Sequence, residues 1–501
     1  MLDCIVISDI KYDVESRLST ANEIEKRCAR RQYIKYKGKK RYYFDFLENI
    51  KAGDDNRKLE KEYMMKPLSL NEIKIEEVEQ LRQEFLRQKI SSCLINDYES
   101  QQDLFDNLIK TGVRYVVMLL GNLFNILPML KIIRHIKRMD KTVKIILSGG
   151  YIYNKWATSS LEEFEKMKKV LNADYYVTKM PGESEICNII KESGYSNKVV
   201  PQINWNYRNE IVELKTSIGC PAKCSFCNFP LKNGQLHYKN MQYVKEYIKN
   251  LEINGTKTII FMDDTFNLPQ KRFKKICQFL IESESKLEWY SYCRLKNLDE
   301  ETVKMMSTSN CKGVFVGIES ADDSILSNMN KGITVEEYKK SLLMLNKYGI
   351  SVFAFLLVGF PGETKKTVQK TIDFVNSMPI EYYTVNLWYA DTSTPIFKEK
   401  TKYGIRGKDF NWEHNTMNSL QASEFADKMM VEINSAVWVP NERFGFQAVP
   451  YLQRRGLSDS ETKNLLRNMK ELVKINILHS GANPQCYVDN IKDILIKMKF
   501  F

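Results

Sequence analysis

The sequence has no apolar run long enough to cross a bilayer. Its longest, VFAFLLVGF (352–360), falls well short of the ~20 residues a spanning helix needs, so no transmembrane segment is expected. The start, MLDCIVISDIKYD, carries an acid at position 3 and lacks the basic opening and small-residue cleavage site of a signal peptide, which makes a cytoplasmic location the expectation. Internal repeats, long Pro/Gly linkers and low-complexity segments are missing too. Cysteine is sparse and unpaired. Of eleven, those at 4, 28, 93, 187, 277, 293, 311 and 486 show no disulfide spacing and read as free thiols of a reducing compartment. Nor does one sign of charge dominate. The 75 basic and 62 acidic residues are interspersed, so the net charge of +13 reads as a mixed, solvated surface and a nucleic-acid partner is not expected. The densest basic run, KYKGKKRYYFDF (35–46), suits either an anionic or peptide substrate or the exposed edge of a hairpin turning at Gly38.

What is present is apolar material for two or three cores, 43% of 501 residues. Residues 1–208 alternate strand and helix patterns. CIVISDI (4–10), SSCLIN, VRYVVMLLG and KTVKIILSGG read as buried strands, and NEIKIEEVEQLRQEFLRQKI (71–90) and ILPMLKIIRHIKRMD as amphipathic helices. This α/β alternation predicts a Rossmann-like, doubly wound parallel sheet. Ligands of such sheets lie beyond the strand carboxyl ends, so the loops after Leu120 and Leu147 are a candidate site, with Ser148, Gly149 and Gly150 as cofactor-binding residues; the glycines suit a tight turn equally well. Residues 209–400 restart the alternation with six strand–helix units, too few for a closed eight-fold barrel and fitting a partial (β/α)6 barrel. Functional groups belong at its strand C-termini, where Asp263, Asp264, Arg294, Glu319, Ser320 and GFPGET (359–364) fall. From 401 to 501 the alternation stops and a helical C-terminal domain is expected.

At 220–227 stands CPAKCSFC, three cysteines at positions 1, 5 and 8. A structural zinc site wants four ligands, and only His237, ten residues on in a polar loop, is near enough to supply the fourth. Three thiolates after a strand suit a [4Fe–4S] cluster with one iron left open to a small molecule. Cys220, Cys224 and Cys227 are the expected metal ligands.

CPAKCSFC resembles the CxxxCxxC signature of the radical S-adenosylmethionine (radical SAM) enzymes, and FMDDTFN (261–267), GIES (317–320) and GFPGET resemble motifs at the ends of later barrel strands in that superfamily. The resemblance implies that the open iron chelates the methionine part of SAM, whose cleavage gives a 5′-deoxyadenosyl radical. It also implies SAM contacts at Phe226, Asp264, Arg294, Glu319, Ser320, Gly359 and Gly362. SAM's cation, ribose diol and adenine call for carboxylate and hydroxyl partners and closely approaching backbone. Arg294 suits the SAM carboxylate or a structural salt bridge.

A Rossmann-like domain joined to a radical SAM barrel resembles the cobalamin-dependent radical SAM enzymes. FPLKNGQLHY, NLWYADTSTPIF and FNWEHNTMNS (410–419) are similar to the branch containing the phosphinothricin-peptide P-methyltransferase. In that group cobalamin carries a methyl group from one SAM to a substrate radical generated by a second. The DxHxxG motif that places a histidine under cobalt is absent; the N-terminal region holds only His135. The resemblance implies a methyltransferase acting on an unactivated carbon or phosphinate of a peptide-like natural-product intermediate, with a flavodoxin- or ferredoxin-type electron donor. The alternative is a radical SAM enzyme that cross-links, cyclises or epimerises a peptide without methyl transfer. Trp388, Tyr389, Asp391 and His414, with Trp412, are the candidate substrate-pocket residues, core packing being an equal reading for the aromatics. A tRNA-modifying methylthiotransferase is disfavoured because Cys4, Cys28, Cys93 and Cys187 stand singly.

Overall fold

The computed structural model describes residues 2–10, 14–19, 21–52, 74–121, 126–179, 182–192, 202–203, 210–232, 236–479 and 481–498. By internal contact the chain divides into two units, Met1–Arg17 with Asn71–Arg208, and Leu18–Leu70 with Asn209–Phe501.

The first unit is a six-stranded, wholly parallel sheet: β1 (Leu2–Ile7), β2 (Ser92–Ile95), β3 (Val113–Leu119), β4 (Lys144–Ser148), β5 (Tyr175–Tyr176) and β6 (Gln202–Ile203). Its strand order is β5-β4-β3-β1-β2-β6. Alternate residues of β1 face opposite ways, Ile5 and Ile7 into one apolar core and Cys4 and Val6 into a second, so the sheet is covered on both faces. The order reverses between β1 and β3, the arrangement that opens a ligand crevice at the strand carboxyl ends. Leu120 and Gly121 follow β3 there, while residues 122–125 of that expected loop lie outside those described. The expected helix over 71–90 is observed as Glu76–Arg87, and its Asn71–Ile73 start likewise lies outside them.

In the second unit six parallel strands follow one another in consecutive order: β7 (Ile211–Leu214), β8 (Thr258–Phe261), β9 (Glu288–Tyr292), β10 (Cys311–Glu319), β11 (Ser351–Val358) and β12 (Tyr382–Leu387). Helices Met241–Ile253, Gln270–Glu282, Glu300–Thr308, Val335–Lys347 and Lys365–Ser377 connect them. A short seventh strand, β13 (Val437–Trp438), adds to β12 in parallel. The helix starts follow from local chemistry: Asn240, Asp299, Thr334 and Thr364 each accept from a backbone N–H of the first turn.

By internal contact residues 401–501 group with the barrel strands, and they contain, besides helices, an antiparallel sheet, Arg406–Lys408, Asn411–His414 and Met417–Asn418. The expected boundary at 208 lies outside the described residues, and residues 18–70 also group with the second unit. There a helix (Glu23–Ala29) and a hairpin (Ile34–Tyr36 with Lys39–Arg41, turning at Lys37–Gly38) precede a second helix (Tyr43–Ala52). They are fastened to the C-terminal part of the unit: Arg31 Nη1 donates to Asp427 Oδ1 at 2.7 Å, Tyr36 to Gln485 Oε1 at 2.9 Å, and Phe44 stacks on Phe444 at 4.6 Å. The basic hairpin is thus one edge of this packing.

Candidate active site

The three cysteines sit on the loop that leaves β7. Two adjacent acids after β8 hold its base. Asp263 is buried and accepts from Thr216 N at 2.5 Å, Thr216 Oγ1 at 2.6 Å and Ser217 Oγ at 2.8 Å; burial pushes its carboxyl up despite these bonds. Asp264 accepts from Gly219 N at 2.9 Å, immediately before Cys220. Its described bond is therefore to the loop backbone.

The far side of the loop is held by residues 329–331, which follow β10. Ser225 N donates to Met329 O at 2.8 Å and Asn330 Nδ2 to Lys223 O at 2.8 Å. Arg294, just past β9, donates from Nη2 to Lys331 O at 2.5 Å and reaches Cys224 Sγ with Nη1 at 3.4 Å. These bonds place the Arg294 cation beside a thiol. A third clamp comes from beyond β12: Ile396 N donates to Ser225 O at 2.9 Å, and Asn228 Nδ2 donates to Asp391.

Cys224 is buried, while Cys220 and Cys227 are half-buried. Burial, with Cys224 and Cys220 adding repulsion, pushes the Cys227 thiol up to about 11. Among the described residues no three His, Cys, Asp or Glu groups converge on a single ion. A cubane cluster does not ask for that, since each thiolate takes a different iron. The donor set fits such a cluster: three thiols on one clamped loop with a guanidinium against one of them.

At the end of β10, Glu319 is held at φ +64°, in the left-handed region an L residue seldom adopts. Its Oε1 takes Lys331 Nζ at 2.9 Å in a buried ion pair, and Lys331 Nζ lies 5.5 Å from the centre of the Phe226 ring. Gly317 leaves room for this arrangement: a Cβ there would stand 2.1 Å from Glu319 Oε1 and 2.8 Å from Lys331 Nζ. Beside them Ser320 Oγ is buried with no hydrogen-bond partner among the described residues, a polar group left for a ligand.

Gly359 and Gly362 have φ of +92° and +97°, and an added Cβ would meet Trp412 Cη2 at 2.6 Å and Asn328 Nδ2 at 2.5 Å. The glycines thus let this loop press against protein atoms. Glu363, not singled out in the sequence, is buried beneath them and accepts from Gly359 N at 2.6 Å and from Phe360 N; burial raises its pKa to about 8.

The four expected substrate contacts have partners within the fold. Trp388 is buried among Phe360, Phe397 and Trp412, and its Nε1 has no hydrogen-bond partner among the described residues. Tyr389 donates to Asp409 Oδ1 at 2.6 Å, and Asp391 accepts from Ser393 N as well as Asn228. His414 stacks on Trp412 and engages both ring nitrogens, Nε2 with Gly359 O at 3.1 Å and Nδ1 with Thr416 Oγ1 at 3.1 Å; burial lowers its pKa. These contacts give His414 a supporting place under the 359–363 loop.

In the first unit Ser148, Gly149 and Gly150 stand at the carboxyl end of β4. Gly149 has φ +90° and a Cβ there would fall 2.6 Å from Leu120 O, so the close approach of the two loops requires a glycine. Gly150 opens the helix Gly150–Thr158, and Ser148 is buried.

A three-cysteine loop at the head of consecutive parallel strands, with acids at the strand ends, defines a cluster-dependent site. Residues 214–375 match the family model of the Radical SAM superfamily, and this part of the chain is a radical SAM domain. The chain is similar to an uncharacterized methyltransferase of Pyrococcus horikoshii, 33% identical over 185 residues covering 36% of this chain and 40% of the relative. It is also similar to the bacteriochlorophyllide d C-12(1)-methyltransferase of Chlorobaculum tepidum, 28% identical over 213 residues, 41% of this chain and 45% of that one. The chain therefore spans less than half the length of these relatives. In fold it resembles the radical SAM methyltransferase TsrM from Kitasatospora setae, solved with cobalamin and a [4Fe–4S] cluster bound, with a TM-score of 0.56 at 14% identity over 99% of both chains. Among the described residues no helix is long and apolar enough to cross a membrane.

Proposed function

We propose that this chain is a cobalamin-dependent radical SAM methyltransferase that methylates an unactivated carbon or a phosphinate of a peptide-like natural-product intermediate. The observation that carries the reading is the fold likeness to TsrM over 99% of both chains, which takes in the doubly wound sheet as well as the radical SAM domain. The cysteine loop and its clamps add the chemistry.

Cys220, Cys224 and Cys227 hold the cluster in this reading, with Arg294 offsetting their negative charge. Glu319, Ser320 and Asp264 supply acceptors for SAM's amino and hydroxyl groups, and Arg294 a donor for its carboxylate. Lys331 keeps the buried Glu319 carboxylate paired, so an incoming ammonium competes with a resident one. Leu120, Gly121 and Ser148–Gly150 frame the cobalamin edge of the first sheet. When bound, the cluster supplies the electron that cleaves SAM and cobalamin supplies the methyl group. A methylthiotransferase is less well supported, since Cys4, Cys93 and Cys187 lie in the apolar cores, where burial pushes the Cys93 and Cys187 thiols up to about 11 and 12.

The test is corrinoid, iron and sulfide content of protein purified without oxygen from cells supplied with cobalamin. Near-stoichiometric corrinoid with cluster iron is expected. Cluster iron without corrinoid would overturn methyl transfer and leave the non-methylating peptide-modifying reading.

A further inference from the structure

Alternate residues of the barrel strands face the lumen, and one position after another around it is only partly buried: Glu213 on β7, Met262 after β8, Tyr292 on β9, Phe355 on β11 and Asn386 on β12. Their chain neighbours Val212, Leu214, Phe261, Ser291, Ala354, Leu356, Val385 and Leu387 are buried. Helices cover the outer face of such a barrel, so the access retained at these positions faces the lumen, alongside the 441–447 segment, whose Gln447 reaches Met262 Sδ at 4.0 Å, whose Phe446 meets Phe355 at 4.7 Å and whose Asn441 donates to Asn386 Oδ1 at 3.1 Å. Below this upper part the lumen is closed by an aromatic floor, in which Phe353 stacks on Tyr382 at 4.6 Å and meets Phe315 and Phe446 at 5.2 and 5.3 Å.

Glu213 is the unusual member of this ring. Among the described residues its carboxylate accepts no hydrogen bond, and Lys215, exposed two residues on, is the cation that acts on it. Burial raises its pKa to about 7. Tyr292 lies close enough to feel its charge and is bonded through its hydroxyl to Gln447, and the Tyr292 ring is parallel to Phe355 with centres 6.0 Å apart. A divalent cation would want several oxygens, and no such group of acids is present among the described residues. A single carboxylate beside aromatic faces suits an ammonium group on a flat or apolar body.

We propose that this upper lumen is an amine-binding chamber in which Glu213 takes the protonated amino group of the substrate while Tyr292 and Phe355 hold its apolar part. The site deepens the proposed function by naming a substrate class, and it rests on that reading only in calling the bound amine a substrate.

The test compares two probes of one shape, 2-phenylethylammonium and neutral 2-phenylethanol, by calorimetric titration of the full chain as purified without oxygen, at neutral pH, whatever its corrinoid content. The ammonium is expected to bind at least roughly tenfold more tightly, the scale of one charge-assisted contact. E213Q is expected to abolish that preference and leave SAM affinity unchanged. Equal binding of the two probes, no binding of the ammonium, or a preference that survives E213Q would each overturn the proposal. The wild-type comparison does not depend on any variant folding, and its outcome is independent of corrinoid content, so its failure is distinguishable from failure of the methyltransferase reading.

Discussion

Glu319 and Arg294 show how few side chains join the strand ends to the cysteine loop. Replacing Cys224 by Ala removes one of three expected iron ligands, and loss of cluster absorbance with loss of SAM cleavage is the outcome to look for. Arg294→Met leaves the ligands in place but removes the cation beside Cys224; a roughly 10–100-fold fall in iron affinity or SAM cleavage is expected, read by anaerobic iron titration. Gly317→Ala sets a methyl group against the tips of the Glu319 and Lys331 side chains, which must shift, and a loss of about 1 kcal/mol is expected in denaturant melts. Glu363 yields a signed pH effect. Its folded pKa, about 8, lies above the ordinary 4.5, so the fold binds the extra proton. Stability from this group is full below pH 4.5 and declines as pH rises through 8, by on the order of 2–4 kcal/mol. Glu363→Gln should flatten that decline between pH 5 and 8.5, and an unchanged slope would show that another group carries it.

Among elements, the barrel strands are legible because each is a short apolar run ending where charge or glycine begins, as in GVFVGIES and SVFAFLLVGF. The cysteine spacing is legible because three thiols so close together have few other uses. Lys331 is not, since it lies in a polar loop whose sequence carries no period and its meaning depends on Glu319 twelve residues earlier. Glu213 is hidden for the opposite reason: a single acid in a strand reads as a solvent-facing position until the neighbouring strands show which face is the lumen. The sheet at 406–418 is missed because its strands are two to four residues long and mostly polar, with only Trp412, His414 and Met417 buried in them. That sheet supports the glycine loop through His414. His414→Ala is expected to cost about 1 kcal/mol of stability and to weaken SAM binding with iron content unchanged, which a SAM titration beside an iron assay separates.

For the molecule as a whole, the contact between early and late parts of the sequence outweighs the apparent domain order. Tyr43 and Phe44 pack on Trp438, Phe444 and Tyr451, and Phe46 and Leu47 are fully buried. Each such aromatic buries 150–250 Å² or so, far more than a marginal fold can leave bare. A fragment of residues 209–501 lacks these partners and is expected to be insoluble or to melt without cooperativity, and a soluble fragment with a sharp melting transition would refute this. Composition and periodicity carry no trace of the arrangement, because an aromatic run does not reveal which distant surface it will cover.

The bond from Tyr42 to Glu442 spans 400 positions of chain. During synthesis at roughly 5–20 residues per second, the segment around it leaves the ribosome on the order of 20–80 s before its partner exists. For that interval a strongly basic, aromatic-rich stretch has nothing to fold against, and chaperone supply during translation is set to govern how much active protein a heterologous host can make.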